Sequence, residues 1–322
     1  MKQKIDWWGA VTLVGALVSL MFALELGGNE YDWNSGVILG LFAAFAVLFF
    51  VFIRIERKAE EPIISFPMFK NRLFTTSNAL GLLSGMAFIT ASVYIPIYIQ
   101  GVLGGTATNS GLVLLPMMLG SVVSATGGGF LMNKMSYRKI MIIFTIILAA
   151  GMVSLTTLKP DPSRLLVTVY MILTGLGIGA TFSVLSNAAI HHFHPSQRGS
   201  VNATVAFIRS LGMTLGITVF GIVQRNDFTS KLKEIFAGMG EAQGQMNEIP
   251  VLNDPRVLLS PETRAQIPEP VLDKITAVLS SSITQTFMWA LIPTALAFIA
   301  AIVMSNERLS SSVEYQEAMD GK

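Results

Sequence analysis

The run LLVTVYMILTGLGIGATFSVLSNAAI, residues 165–190, decides how the whole chain is read. It is 26 residues long and holds no charged side chain. A helix needs roughly 20 apolar residues to cross the hydrocarbon core of a bilayer, and this run exceeds that. It lacks the period-two alternation of a barrel strand. In lipid every backbone polar group must be paired within the segment, which leaves helix as the only sensible reading. Gly175, Gly177 and Gly179 imitate a phosphate-binding loop, but such a loop needs a strand before it and a helix opening after it. Three glycines inside one apolar run are read instead as a surface for close helix packing.

Working outward, seven further segments are long and oily enough to span: 7–24, 36–53, 74–100, 111–132, 140–158, 201–223 and 283–304. The composition agrees, since 52% of residues are hydrophobic and only 13% are charged. An ordinary soluble chain carries about 25% charge, which it needs to stay in solution. The expected fold class is therefore all-α, a polytopic integral membrane protein of about eight transmembrane helices whose main partner is the lipid bilayer. A net charge of +2 implies no nucleic-acid partner. The absence of cysteine excludes disulfides, thiolate zinc sites, iron–sulfur clusters and cysteine nucleophiles. Lys2 and Lys4 precede the first run, but more apolar runs follow it rather than a cleavage site and a soluble domain.

Orientation comes from Lys and Arg in the short loops. With the N-terminus inside, the inner segments carry Lys2 and Lys4, Arg54, Arg57, Lys58, Lys70 and Arg72, Lys134, Arg138 and Lys139, Arg198, and Arg308 and Lys322. The short outer loops carry only Lys159 and Arg164. Both termini are expected in the cytoplasm of a multi-pass protein of the cell membrane. Trp7 and Trp8 mark one interface and Trp33 the other.

The chain divides on this reading into two transmembrane helices with a cytoplasmic linker (1–73), five helices of a bundle (74–223), an outer loop (224–282), a last span (283–304) and a cytoplasmic tail (305–322). The outer loop is too long for a bare turn. Phe228, Leu232, Ile235 and Phe236 recur at helical spacing, as do Val271, Leu272, Ile275, Val278 and Leu279, while Pro250, Pro255, Pro261, Pro268 and Pro270 break the middle. Two surface helices resting on the membrane face are expected there, with a solvated tether as the alternative. The tail, with Ser310, Ser311 and Ser312 followed by acids, reads as disordered.

Candidate functional residues are few. Arg209 is the only ionisable residue well inside an expected span, a placement that costs about 2.5–3.5 kcal/mol on insertion scales. It has no obvious acidic mate, because Glu25 lies at the outer end of the first span. A substrate or gating contact and a structural bond to carbonyls or lipid phosphate are both open. The third span carries a small or polar stripe of Ser77, Gly81, Ser84, Ala91, Tyr94 and Tyr98 and ends in Gln100. The sixth carries Tyr170, Thr174, Gly177 and Thr181, followed by Asn187. Steps of three, four or seven keep such residues on one helical face. They are read either as the lining of a substrate cavity or as helix–helix packing. His191, His192 and His194 cluster beside Pro195, but no carboxylate is near in the sequence, and no metal site is expected. No cofactor is expected either. No serine–histidine–acid arrangement or nucleotide motif is present, so the chain is not read as an enzyme.

Several local patterns together carry a family resemblance: Leu26-Gly27-Gly28 with Asp32-Trp33; Glu61-Pro62-Ile63-Ile64 before Phe69-Lys70-Asn71-Arg72-Leu73-Phe74; Tyr98-Ile99-Gln100-Gly101-Val102-Leu103-Gly104 leading into Ser110-Gly111-Leu112-Val113-Leu114-Leu115-Pro116; and Arg198-Gly199 with Ala203, Arg209-Ser210-Leu211-Gly212 and Leu215-Gly216. The chain resembles the second half of the 14-helix drug:proton antiporters of the major facilitator superfamily, in the manner of multidrug or lincomycin-resistance permeases. The superfamily's cytoplasmic gating loop is matched by Gly129, Asn133, Lys134, Ser136, Arg138 and Lys139, with Asn133 in place of the acid and Ser136 in place of the second glycine. The resemblance implies that the first two spans are the family's extra central helices and the last six its C-terminal bundle, with the third and sixth spans lining a central cavity. It also implies a first six-helix bundle, where the family's proton-coupling acids mainly lie, and this chain has none. A truncated or split frame, a separately encoded partner half, or a second copy would account for that.

The function expected is export of drugs or other amphipathic small molecules by proton-coupled antiport and alternating access, with this chain supplying the C-terminal half. The alternative is a non-transporting membrane protein, a degenerate remnant or a scaffold. A membrane enzyme is a third and weaker reading.

Overall fold

A computed structural model describes residues 7–27, 30–58, 66–160, 162–237, 264 and 267–309. Eight long helices account for nearly all of them: α1 (Trp7–Leu26), α2 (Gly36–Glu56), α3 (Arg72–Ile97), α4 (Ala107–Leu131), α5 (Tyr137–Leu155), α6 (Arg164–Ile190), α7 (Arg198–Ala237) and α8 (Glu269–Val303). By length and composition all eight can cross a membrane. The chain is a multi-pass, all-α membrane protein. Lys2, Lys4, Gly28, the Glu61–Ile64 pattern, Pro250, Pro255, Pro261 and the tail from Ser310 to Lys322 lie outside the described residues.

Four of the long helices begin where the sequence supplies a side-chain acceptor for their unpaired first N–H groups. Ser35, Asn71, Thr106 and Ser163 each accept from the backbone N–H three residues on. The C-terminal carbonyl of Val303 in α8 accepts from Arg72 Nε at 2.8 Å, a cation placed where the helix dipole favours one. α3 continues past Pro96 as one π-turn, Tyr98–Val102, and Gly104 at φ +65° turns the chain away. The Arg264 guanidinium donates to the carbonyls of Gln100, Gly101 and Val102 at that turn, at 3.4, 2.7 and 3.3 Å.

α3 and α6 are the two inner helices. α6 packs between α4 and α5, and α3 packs between α7 and α8. The pair meet each other, and α5 meets α8, so the contacts of α3 with α7 and α8 mirror those of α6 with α4 and α5. α1 and α2 form a hairpin that touches the bundle through α1 and α7, where Glu25 Oε1 accepts from Arg225 Nη2 at 3.1 Å.

Backbone approach at the crossings is the closest feature of the fold. A Cβ on Gly175 would lie 2.0 Å from the Met117 carbonyl oxygen of α4, and one on Gly179 would lie 1.9 Å from that of Ser121. On the opposite face of α6, a Cβ on Gly177 would sit 2.3 Å from Leu148 Cα of α5. The three glycines are thus a packing surface, as their place inside an apolar run predicts. The α3–α7 crossing repeats the device, since a Cβ on Gly212 would stand 2.1 Å from the Leu82 carbonyl oxygen. Hydroxyls cross the same seam: Ser183 Oγ of α6 donates to Ala125 O of α4 at 2.8 Å. The side of α4 away from this seam leaves Leu119, Val122 and Val123 exposed, an apolar face suited to lipid or to another helix.

Two expectations are corrected. The amphipathic stretches after Val223 and before Ile283 are not separate surface helices. They are continuations of α7 and α8, which run roughly 60 and 52 Å and so extend well beyond a hydrocarbon core of about 30 Å. Phe228 and Leu232 are buried with Ile275, Val278 and Leu279 in one core cluster. Gln224 Nε2 donates to Ser282 Oγ at 3.0 Å and Lys231 Nζ to Ser281 Oγ at 2.8 Å, zipping the two extensions together. The described start of the tail is ordered too, because Glu307 O accepts from Tyr137 N at 2.9 Å.

The glycine seam makes a specific demand. Gly179→Leu should lower membrane abundance and the thermal midpoint of the purified chain, by an overpacking cost of about 1–3 kcal/mol or more. Gly127→Leu in α4, where an added Cβ meets nothing within 4 Å, should leave both unchanged. Equal behaviour of the two variants in a melting experiment would sink the packing account.

Candidate functional site

A hydroxyl inside a helix satisfies itself by bonding to the carbonyl one turn back, and then needs neither water nor ligand. That rule explains most of the polar stripe. Ser84 Oγ donates to Leu80 O at 2.6 Å, Thr174 Oγ1 to Tyr170 O at 2.9 Å and Thr181 Oγ1 to Ile178 O at 2.6 Å. All three are buried, as are Ser77, Tyr94 and Tyr98. Tyr94 meets Phe287 of α8 edge-on, and Tyr98 Oη donates to Lys159 O in the α5–α6 connection. These six side chains therefore face neighbouring helices of the same bundle, the geometry of packing rather than of an open lining.

The other candidates keep some exposure. Gln100 Nε2 donates to Ser110 Oγ at 2.8 Å, joining the end of α3 to the start of α4. Tyr170 Oη shares a hydrogen bond with Thr157 Oγ1 at 3.1 Å. Asn187 Nδ2 donates to Ser183 O at 2.8 Å along its own helix.

Arg209 lies on α7, half-buried, against α3 and α6. Its guanidinium carbon stands 4.5 Å from the centroid of the Phe182 ring, and Nη2 donates to Thr181 O at 3.5 Å. A Cβ on Gly85 of α3 would come within 2.7 Å of the Arg209 carbonyl oxygen. Among the described residues no carboxylate pairs with this guanidinium. Beside it on α7, Asn202 and Ser210 are exposed, and on α6 Ser186 is partly so. Sequence reasoning missed these three. Their signal was a polar side chain adjacent to Arg209 in the chain, two helical turns before it, or on the α6 turn after Phe182.

The gating-loop residues are placed unevenly. Gly129 is in the last turn of α4 with open space around it, and Asn133 and Lys134 are exposed in the turn that follows. Arg138 and Lys139 fall in the first turn of α5, where a cation does not complement a helix dipole. Only Lys134 stands past a C-terminal end, with its N–H bonded to Leu131 O at 2.9 Å.

The histidine cluster differs from its sequence reading as well. His191 Nε2 lies 3.1 Å and His192 Nε2 2.5 Å from Glu307 Oε2, so a carboxylate is present after all, brought from beyond α8. Another acid hidden from the sequence is Glu56, buried at the end of α2.

Comparison with known proteins agrees with this architecture. The profile described as Major Facilitator Superfamily matches residues 7–217. Multidrug resistance protein 3 of Bacillus subtilis is 48% identical over 313 residues, covering 97% of this chain and 61% of that protein. Multidrug transporter protein MdtP of the same organism is 32% identical over 336 residues, covering 98% of this chain and 62% of that protein. The chain thus spans about three fifths of the length of these relatives. Among solved structures, a bacterial homolog of the human lysosomal transporter Spinster, inward-facing and unoccupied, matches with a TM-score of 0.50 at 14% identity, over 91% of this chain and 69% of that one. The matched proteins carry the names of transporters, not enzymes.

Because the chain has no cysteine, single thiols can be placed without background. Ser77→Cys and Thr174→Cys should resist a membrane-permeant maleimide in native membranes, whereas Lys134→Cys should label rapidly. Labelling of the two buried positions at the Lys134 rate, read by mass spectrometry, would return them to an open cavity.

Proposed function

Because the chain belongs to the major facilitator superfamily, we propose that α3–α8 is one of two six-helix bundles that rock about a midplane site to export amphipathic, drug-like molecules, driven by protons. The mirrored packing of α3 and α6 supports this reading most directly, since transporters of this kind are built from three-helix repeats that would produce it. α1 and α2 serve as the extra central pair of a 14-helix arrangement. The second bundle is supplied outside these 322 residues, by further sequence of the same polypeptide, by a separate chain or by a second copy. Both ends of the described chain face the cytoplasm, as the basic loops require.

The contacts with cargo fall on the face of α6 and α7 around Arg209. Its contact with Phe182 contributes about 0.5–2 kcal/mol, less than the 2.5–3.5 kcal/mol that a mid-membrane guanidinium costs. It stands about 17 Å along α7 from Arg198, close to half the hydrocarbon thickness. Structure alone is thus a poor return on this charge, and a role in gating or in orienting cargo repays it. Phe182, Ser186, Asn202 and Ser210 surround it with the apolar and small polar groups that a tolerant site uses.

Proton coupling needs an acid at mid-depth, and among the described residues this bundle holds none there. Glu25, Asp227, Glu234, Glu269 and Asp273 sit near one end of the helices and Glu307 near the other. The coupling acid then belongs to the second bundle. The same observation favours the competing reading, a membrane protein that no longer transports.

Two measurements separate them. Arg209→Ala should abolish drug efflux from cells while leaving membrane abundance intact, since it removes a costly charge and orphans no buried partner. Loss of abundance in step with efflux would make Arg209 structural. Ser210→Cys should react with a water-soluble maleimide, and an exported drug should slow that reaction. Complete inertness of this thiol would place the face against lipid.

A further inference from the structure

His191 is the C-cap residue of α6, and His192 follows it. Glu307 follows the end of α8 and is held by its own backbone, through the 2.9 Å bond from Tyr137 N at the start of α5. Three separate elements therefore converge on one point. The donor atoms of His191, His192 and Glu307 all lie within 4.8 Å of one another. His191 is 2% exposed at its side chain, His192 30% and Glu307 27%, so the group is walled on one side and open on the other.

One feature marks this as more than an ion pair. Glu307 Oε2 is shielded from solvent and has no hydrogen-bond partner of proper donor geometry among the described residues, although two imidazole nitrogens stand close to it.

We propose that His191, His192 and Glu307 form a binding site for a divalent transition-metal ion, Zn2+ being the ion that fits best. Two imidazoles and one carboxylate are a zinc-type donor set, and the exposed side leaves a fourth position for water. With bonds of about 2.0–2.1 Å, donors around a tetrahedral ion stand roughly 3.3 Å apart. The 3.1 Å and 2.5 Å separations need only a small outward shift to reach that spacing. Tyr137 Oη stands 3.3 Å from His191 Nδ1 and accepts its N–H when Nε2 binds the ion, the outer contact that fixes a ligating histidine. The bound ion would tie the exit of α8 to the end of α6. This site is independent of the transport reading.

The test uses the full chain in detergent, with any affinity tag removed, stripped by chelator dialysis and titrated calorimetrically with zinc chloride at pH 7.5. One saturable site per chain is expected, with magnesium chloride giving none. His192→Ala and Glu307→Gln should weaken it more than tenfold, and Tyr137→Phe by about 10–100-fold. Unmutated protein loaded with cobalt(II) should show the intense visible bands of a four- or five-coordinate ion, a readout that needs no variant to fold. Absence of saturable zinc binding, zinc binding unchanged by His192→Ala and Glu307→Gln, or the pale spectrum of the hexaaqua cobalt ion would each overturn the proposal.

Discussion

Between helices in lipid there is no hydrophobic driving force, because the hydrocarbon tails are as apolar as the side chains they surround. Packing and hydrogen bonds must hold the bundle, and both fall steeply with distance. Gly175 and Gly179 of α6 solve that problem by letting its backbone lie against that of α4, and Gly212 does the same for α7 against α3. Each inner helix is thereby clasped to an outer one at nearly backbone contact. Once those crossings are set, the remaining helices have little freedom: α5 fits against Gly177 on the other side of α6, and α8 closes the ring against α3 and α5.

The same constraint explains where polar groups go. A tight seam leaves no room for water, so most buried hydroxyls of α3 and α6, Ser77 excepted, bond to carbonyls one turn back or across the seam. Polar side chains that are not needed there accumulate at the ends of the bundle and on the face around Arg209. One end is tied by Gln224, Lys231 and Arg264, the other by Arg72, Tyr137 and Glu307. A bundle stapled at both ends and clasped in the middle is suited to move as one body.

Much of this was legible in the residues. Charge-free runs longer than a bilayer is thick define spans whatever their neighbours, and the glycine triplet of α6 reads correctly as packing because no strand precedes it. What escaped was everything that depends on a distant partner. An amphipathic stretch gives the same pattern whether it rests on lipid or on another helix, so Phe228 and Ile275 could not announce each other. Histidines 191 and 192 lie far in the chain from Glu307, and only the return of α8 brings the carboxylate to them. The polar stripe of α3 left both its readings open for a different reason. A serine that bonds within its own helix looks, in sequence, like one that faces a cavity.

Transport by this bundle is the claim on which the functional account rests, and reconstitution tests it most directly. Proteoliposomes would hold this chain together with the part of its 48%-identical relative that it does not match, and a cationic amphipathic dye would be followed under an imposed pH gradient. The account predicts dye movement that requires both parts, reverses when the gradient is reversed and stops when it is collapsed. Dye movement equal to that of empty liposomes, with both parts folded in the membrane, would contradict it.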